Sequence, residues 1–208
     1  MAGPRYDGIV SRTLNRRLSR PAARLLARTR VTPNQVTIAT LLFSFAAAAA
    51  VAFGWNVAGG IGIQLASVVD GVDGELARLR GLASRFGGAL DAVTDRYADA
   101  AFLAAMTVFA ARFEPWPHPE LVGMAALAGA LTVSYSRARI EASLGEAVPP
   151  NLDAVFGLAS RDVRLLLAAI GTALGQCYWT LTALAALSLA TVAWRLLFLR
   201  VRRIGLSA

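Results

Sequence analysis

Apolar residues in this chain gather into six runs, separated by short polar connectors. They cover roughly residues 32–53, 58–79, 86–111, 120–140, 161–174 and 178–199. At about 1.5 Å of rise per residue, every run except the fifth reaches across roughly 30 Å of hydrocarbon. Each therefore predicts a membrane-spanning helix. A different pattern precedes them. Over residues 11–28, Leu14, Leu18, Ala22, Leu25 and Leu26 recur at helical spacing with arginines between them. That predicts an amphipathic helix lying on the membrane surface, with Pro21 placed to bend it. Thr32 and Pro33 then suit the N-cap and first position of the next helix.

Composition supports the same architecture. The chain is 56% hydrophobic and only 16% charged, against about a quarter charged in a soluble domain. The fold class expected is an all-α integral membrane protein: six transmembrane helices behind the surface helix. Its domains are residues 1–31, the juxtamembrane segment, and 32–204, the six-helix unit. The first thirty residues are arginine-rich and intermittently apolar, unlike a cleavable signal peptide.

The net charge is +8, and every basic residue is arginine. These arginines sit at the ends of the apolar runs, which suits an anionic leaflet or anionic substrates better than nucleic acid. Eight precede the first run, and others cluster in alternate connectors and after the last run; the opposite connectors hold only Arg112. The positive-inside rule then puts both termini in the cytoplasm, along with the acidic ends of the second and third runs. The place expected is the cell's inner membrane. Cys177 and His118 are each the single residue of their type, which excludes an internal disulfide, a cysteine-built zinc site and histidine-rich metal sites.

Against this background the acids stand out. Six of thirteen fall between Asp70 and Asp99. Asp70 and Asp73 are three apart and Asp91 and Asp95 four apart, so each pair shares a helix face. The short connector makes the two helices antiparallel neighbours, and the pairs converge. Four carboxylates in a poorly solvated space repel one another, and a divalent cation relieves this. Oxygen-only ligands select Mg²⁺ or Mn²⁺. Gly74, beside Asp73, reads as a place where a ligand approaches closely; Gly88 reads as helix packing. Arg78, Ser84 and Arg85 add donors suited to a phosphate diester or pyrophosphate. Glu75 reads as a solvated or ion-paired group, and Asp99 as a supporting partner of Arg96.

Asp70-x2-Asp73-Gly74-x2-Ala77-Arg78-x8-Gly87-x3-Asp91-x3-Asp95 matches every fixed position in the signature of the CDP-alcohol phosphotransferases, so the chain resembles that family over nearly its whole length. The resemblance implies a six-helix membrane enzyme, usually a homodimer. Such an enzyme releases CMP from a CDP-alcohol donor and joins the phosphoalcohol to a second alcohol. It further implies that Asp70, Asp73, Asp91 and Asp95 hold two metal ions and that Asp95 is the general base. Asn34, Thr37, Asp70, Gly74, Ala77, Arg78, Ser84 and Gly87 would contact the donor nucleotide.

Four arginines, Arg137, Arg139, Arg161 and Arg164, flank the fourth-to-fifth connector. They serve positive-inside topology or, together, a phosphate on the acceptor. The segments "DGIVSRTLNRRLS", "ASRFGG", "LDAVTDRYAD" and "SRDVR" resemble the di-myo-inositol-phosphate-phosphate synthase branch. That branch implies CDP-inositol as donor and inositol phosphate as acceptor. The fused cytidylyltransferase found in some of its members is absent here; on that branch's terms, another protein would supply the CDP-inositol. A CDP-diacylglycerol-dependent synthase of the phosphatidylinositol-phosphate or phosphatidylglycerol-phosphate type is the neighbouring alternative. Intramembrane aspartates also suit a cation or proton transporter, but such sites lie near the midplane, often in repeated halves. Here the acids lie toward one end, and no repeat is visible.

Overall fold

Helix boundaries follow the local chemistry of the chain. The computed structural model describes residues 15–145 and 160–202. All its regular elements are helices: α1 (Arg16–Leu26), α2 (Pro33–Ala52), α3 (Asn56–Arg80), α4 (Arg85–Phe113), α5 (Pro119–Leu144), α6 (Arg161–Ala173) and α7 (Cys177–Arg202). At the head of α2, the Thr32 hydroxyl accepts from the Gln35 amide, and the Gln35 side chain accepts from the Thr32 amide at 2.9 Å. This reciprocal cap satisfies two amides that the helix itself leaves unpaired. Ser84 caps α4 by accepting from the Gly87 amide at 3.0 Å. Between them, α3 ends at Gly81, whose φ of +66° suits glycine.

The six predicted runs correspond one for one to α2–α7. Three of them, over Pro33–Ala52, Pro119–Ser143 and Cys177–Arg200, have the length and apolar composition to cross a membrane. In α3 and α4 the acids and arginines dilute the apolar character. With 13 residues, α6 extends about 20 Å. Among the described residues the surface helix ends at Leu26, two residues before its expected end, and runs through Pro21. Residues 11–14 of that expected helix, and 203–204 of the expected domain, lie outside the described residues.

The bundle is small-residue-rich inside and apolar outside. α2 packs on α3 and α4, α3 on α6, and α5 on α7. Phe102, Met106, Ile63 and Leu181 are buried at its centre. Leu42, Ile61, Met124 and Leu196 point outward and are largely exposed, as a lipid-facing surface requires. Where α3 crosses α6, a Cβ on Gly60 would lie 2.5 Å from the Ala169 carbonyl oxygen, so only glycine permits that approach.

α1 is fixed to this bundle by polar contacts. The Asn15 amide donates to the Ser67 carbonyl and hydroxyl oxygens at 3.2 and 3.1 Å. Arg80, at the end of α3, donates to the carbonyls of Val31 at 2.7 Å, Ala27 at 3.1 Å and Leu26 at 3.2 Å. One guanidinium therefore caps α1 and fastens the turn into α2.

Candidate active site

Antiparallel pairing of α3 and α4 brings their acidic ends together. Asp70, Asp91 and Asp95, all half-buried, each offer a carboxylate oxygen to one point, with the three oxygens within 4.8 Å of one another. Three of the four expected ligands therefore converge. The fourth, Asp73, is buried and turns toward α2: it accepts from the Thr37 hydroxyl and from the Gly74 amide. Thr37, expected at the nucleotide, serves this carboxylate.

An arginine from α6 crosses the cluster. Arg161 Nη1 lies 2.7 Å from Asp70 Oδ2 and 3.1 Å from Asp95 Oδ1, while its Nε lies 3.0 Å from Asp99 Oδ1. Asp99 is 8% exposed at the side chain, and Arg164 Nη2 is 3.6 Å away. The expected Asp99–Arg96 pair is present, at 3.9 Å, but Arg161 and Arg164 from α6 lie closer. Arg96 also reaches Asp95 and the Ser134 hydroxyl.

The remaining expected residues fall into two groups. At the mouth between α2, α3 and α4, a Cβ on Gly87 would sit 3.1 Å from Ser84 Oγ and 3.3 Å from Asn34 Oδ1, so these three are neighbours. Near them, Arg78 is exposed and pairs with Glu75 at 2.5 Å, which bears out the ion-paired reading of Glu75. Gly74 faces open space, with the Arg78 guanidinium 3.7 Å from where its Cβ would be. Ala77 is half-buried. Of the arginines proposed for the acceptor, only Arg161 and Arg164 join the acidic face. Arg137 pairs with Glu141 at 3.1 Å, and Arg139 is exposed. One arginine that the sequence reading passed over is Arg195. It is buried on α7 and donates to the Val133 carbonyl at 2.7 Å and the Ser136 hydroxyl at 3.0 Å. Its signal was a lone cation inside the last apolar run.

Space adjoins the cluster on two sides. An open cavity of about 560 Å³ between α4 and α5 is bordered by Asp91, Asp95, Ser134 and Tyr135. Beneath Asp70 and Asp95 lies a pocket of about 10 Å³ with Thr40, Ser44 and Thr94 in its wall, roughly the size of one water. Three carboxylates without histidine or sulfur, beside open volume, suit an oxygen-preferring divalent cation.

A helical bundle carrying the full aspartate signature at one end defines a class, and the chain belongs to it: residues 30–194 match the model of the CDP-alcohol phosphatidyltransferase family. That family's name denotes transfer of a phosphatidyl group from a CDP-alcohol, and three helices of this chain have the length and apolar composition to cross a membrane. Among characterised proteins, it is 43% identical to a bifunctional IPC transferase and DIPP synthase of Rubrobacter xylanophilus, over 93% of this chain and 43% of that one. The chain thus spans about two fifths of the length of that relative. It is 36% identical to a phosphatidylinositol phosphate synthase of Mycobacteroides abscessus, over 91% of this chain and 87% of that one. Among solved structures, it resembles the phosphatidylinositol phosphate synthase of Mycobacterium tuberculosis with CDP-DAG bound: TM-score 0.72, 27% identity, 86% of this chain and 92% of that one. The same protein with manganese and citrate gives a TM-score of 0.70 at 28% identity, over 86% of this chain and 87% of that one.

Proposed function

We propose that the chain transfers a phosphoalcohol from CDP-inositol to inositol phosphate, releasing CMP, at a site facing the cytoplasm. The observation that carries this reading is the convergence of Asp70, Asp91 and Asp95 within 4.8 Å, with Arg161 beside them. In this reading both termini are cytoplasmic, all six helices α2–α7 lie in the cell's inner membrane, and the enzyme is a homodimer. Residues 1–31 form its juxtamembrane segment and 32–204 its catalytic domain.

Asp70, Asp73, Asp91 and Asp95 are the proposed ligands of two Mg²⁺ or Mn²⁺ ions. When bound, the ions neutralise the donor pyrophosphate and the leaving phosphate. Asn34, Thr37, Gly74, Ala77, Arg78, Ser84 and Gly87 frame the nucleotide; here Thr37 acts by orienting Asp73. Asp95 takes the proton of the acceptor hydroxyl, whose oxygen forms a bond to the phosphorus bearing the donor alcohol. The bond from that phosphorus to the CMP oxygen breaks, and CMP leaves. An alcohol needs such a base at neutral pH, and the rest of the rate comes from position and charge. Arg161 and Arg164, with Arg137 and Arg139 farther out, receive the acceptor phosphate.

The high identity to the bifunctional relative supports the inositol donor. A second reading, CDP-diacylglycerol as donor, is favoured by the match to most of a phosphatidylinositol phosphate synthase. A panel of CDP-inositol and CDP-diacylglycerol, each with inositol phosphate, glycerol phosphate, inositol or serine, decides between them by CMP release. The lack of turnover with every inositol-phosphate pair would refute the proposed acceptor.

A further inference from the structure

Arg161 occupies an unusual position for a residue meant to receive a phosphate. Its Nη1 is within 3.1 Å of Asp70 and Asp95, two of the three carboxylates that converge. A guanidinium placed there neutralises acids that would otherwise repel across a half-buried space. It also stands where a divalent cation held by those carboxylates would meet its positive charge. Two positive groups packed against the same pair of carboxylates repel each other, so binding of the cation loosens the Nη1 contacts. The other edge of Arg161 is held separately. Asp99 accepts from its Nε at 3.0 Å and stands outside the converging set. Asp99 is the more deeply buried of these acids, and Arg164 adds a second cation beside it at 3.6 Å.

We propose that Asp99 is a positioning residue that retains Arg161 at the acidic cluster while the guanidinium exchanges roles. In the cation-free protein, Arg161 is the internal counter-ion of Asp70 and Asp95. When divalent cations bind those carboxylates, Arg161 gives up its Nη1 contacts but stays tethered through Nε to Asp99. Its Nη groups, four N–H donors in a fixed plane, are then released toward an incoming phosphate. Asp70 and Asp95 thus face a positive group in both states, and the phosphate-binding donor becomes available only after the cations are in place. This inference rests on the divalent-cation reading of the cluster. It adds the order of events and the role of Asp99, which lies outside the family signature.

The test is Mn²⁺ binding without substrate. The free-ion electron paramagnetic resonance signal is titrated against the full chain in detergent, for wild type, Arg161→Gln, Asp99→Asn and the double variant. Removing the competing guanidinium should tighten Mn²⁺ binding in Arg161→Gln by about tenfold, as expected when a cation no longer displaces charge-assisted hydrogen bonds. Asp99→Asn should weaken it, because the displaced Arg161 then has no carboxylate to stay on. In the Arg161→Gln background the Asp99 effect should shrink to within about twofold, a non-additivity that a purely structural role would not produce. Equal Mn²⁺ affinity in wild type and Arg161→Gln would overturn the exchange. The same loss from Asp99→Asn in both backgrounds would overturn the tether. If Arg161→Gln does not fold, Arg161→Lys keeps the competing charge without the Nε bond to Asp99, and its Mn²⁺ affinity should fall below wild type, as in Asp99→Asn; an affinity equal to wild type would count against the proposal. Mn²⁺ binding by none of the proteins would overturn this inference together with the cation reading beneath it, whereas binding that is equal in all overturns the exchange alone.

Discussion

Replacing Gly74 with alanine separates a glycine kept for the fold from one kept for a ligand. The position is inside α3, where alanine is favoured over glycine by about 1 kcal/mol. The new Cβ would touch only the flexible Arg78 guanidinium, at 3.7 Å, so no steric cost offsets that gain. Gly74→Ala should therefore melt at the wild-type temperature or about 2–4 °C above it. Gly60→Ala provides the contrast. Its Cβ would sit 2.5 Å from the Ala169 carbonyl oxygen and 2.9 Å from the Ala173 amide nitrogen, both backbone atoms. Separating α3 from α6 there should cost about 1–3 kcal/mol. If Gly74 is bare because a CDP moiety lies against it, the alanine variant should raise KM for the donor by about tenfold or more, equivalent to about 1.4 kcal/mol of lost binding. Thermal unfolding in detergent and steady-state CMP release measure the two quantities. A Gly74→Ala protein with unchanged donor KM, or one that unfolds before Gly60→Ala, would refute the reasoning.

Three other changes have distinct outcomes. Asp95→Asn should lower kcat by about 10²–10⁴, the usual value of a positioned base; full turnover would reassign that role. Thr37→Val removes the hydroxyl that donates to buried Asp73 and should cost about 1.5–3 kcal/mol in thermal unfolding, with donor KM changing little if Thr37 acts only through Asp73. Arg80→Ala should loosen α1 and the turn into α2, where it caps the carbonyls of Leu26, Ala27 and Val31. Faster proteolysis near residues 26–31, with near-normal kcat, is the expected result, and unchanged cleavage would count against the cap.

Much of the fold was legible because a bilayer makes hydrophobic pattern nearly equivalent to topology. Six apolar runs became six helices, and Thr32 and Pro33 marked the start of α2 by local chemistry alone, whereas Ser84, read as a ligand donor, proved also to cap α4. The acidic faces followed from helical spacing, which is why Asp70, Asp91 and Asp95 converge as expected. Spacing could not reveal which way Asp73 turns, because that depends on Thr37 reaching over from α2. Nor could it find the Asp99–Arg161 contact, which joins residues 62 positions apart on different helices. Arg80 was read as a topology marker, because a basic residue at a helix end serves the leaflet and a cap equally well in sequence. Arg137 and Arg139 share a connector with Arg161 but not a destination, since Glu141 on the same helix claims Arg137.

The brevity of α6 bears on how two unlike reactants could meet. Thirteen residues reach about 20 Å, some 10 Å less than the oily layer is deep. Arg161 stands at the first residue of that helix, so in a bilayer the shortfall would fall on the side where the acids gather, setting them below the level of the lipid surface. For the proposed transfer, the phosphoalcohol acceptor and the nucleotide donor would both have to come down to that level.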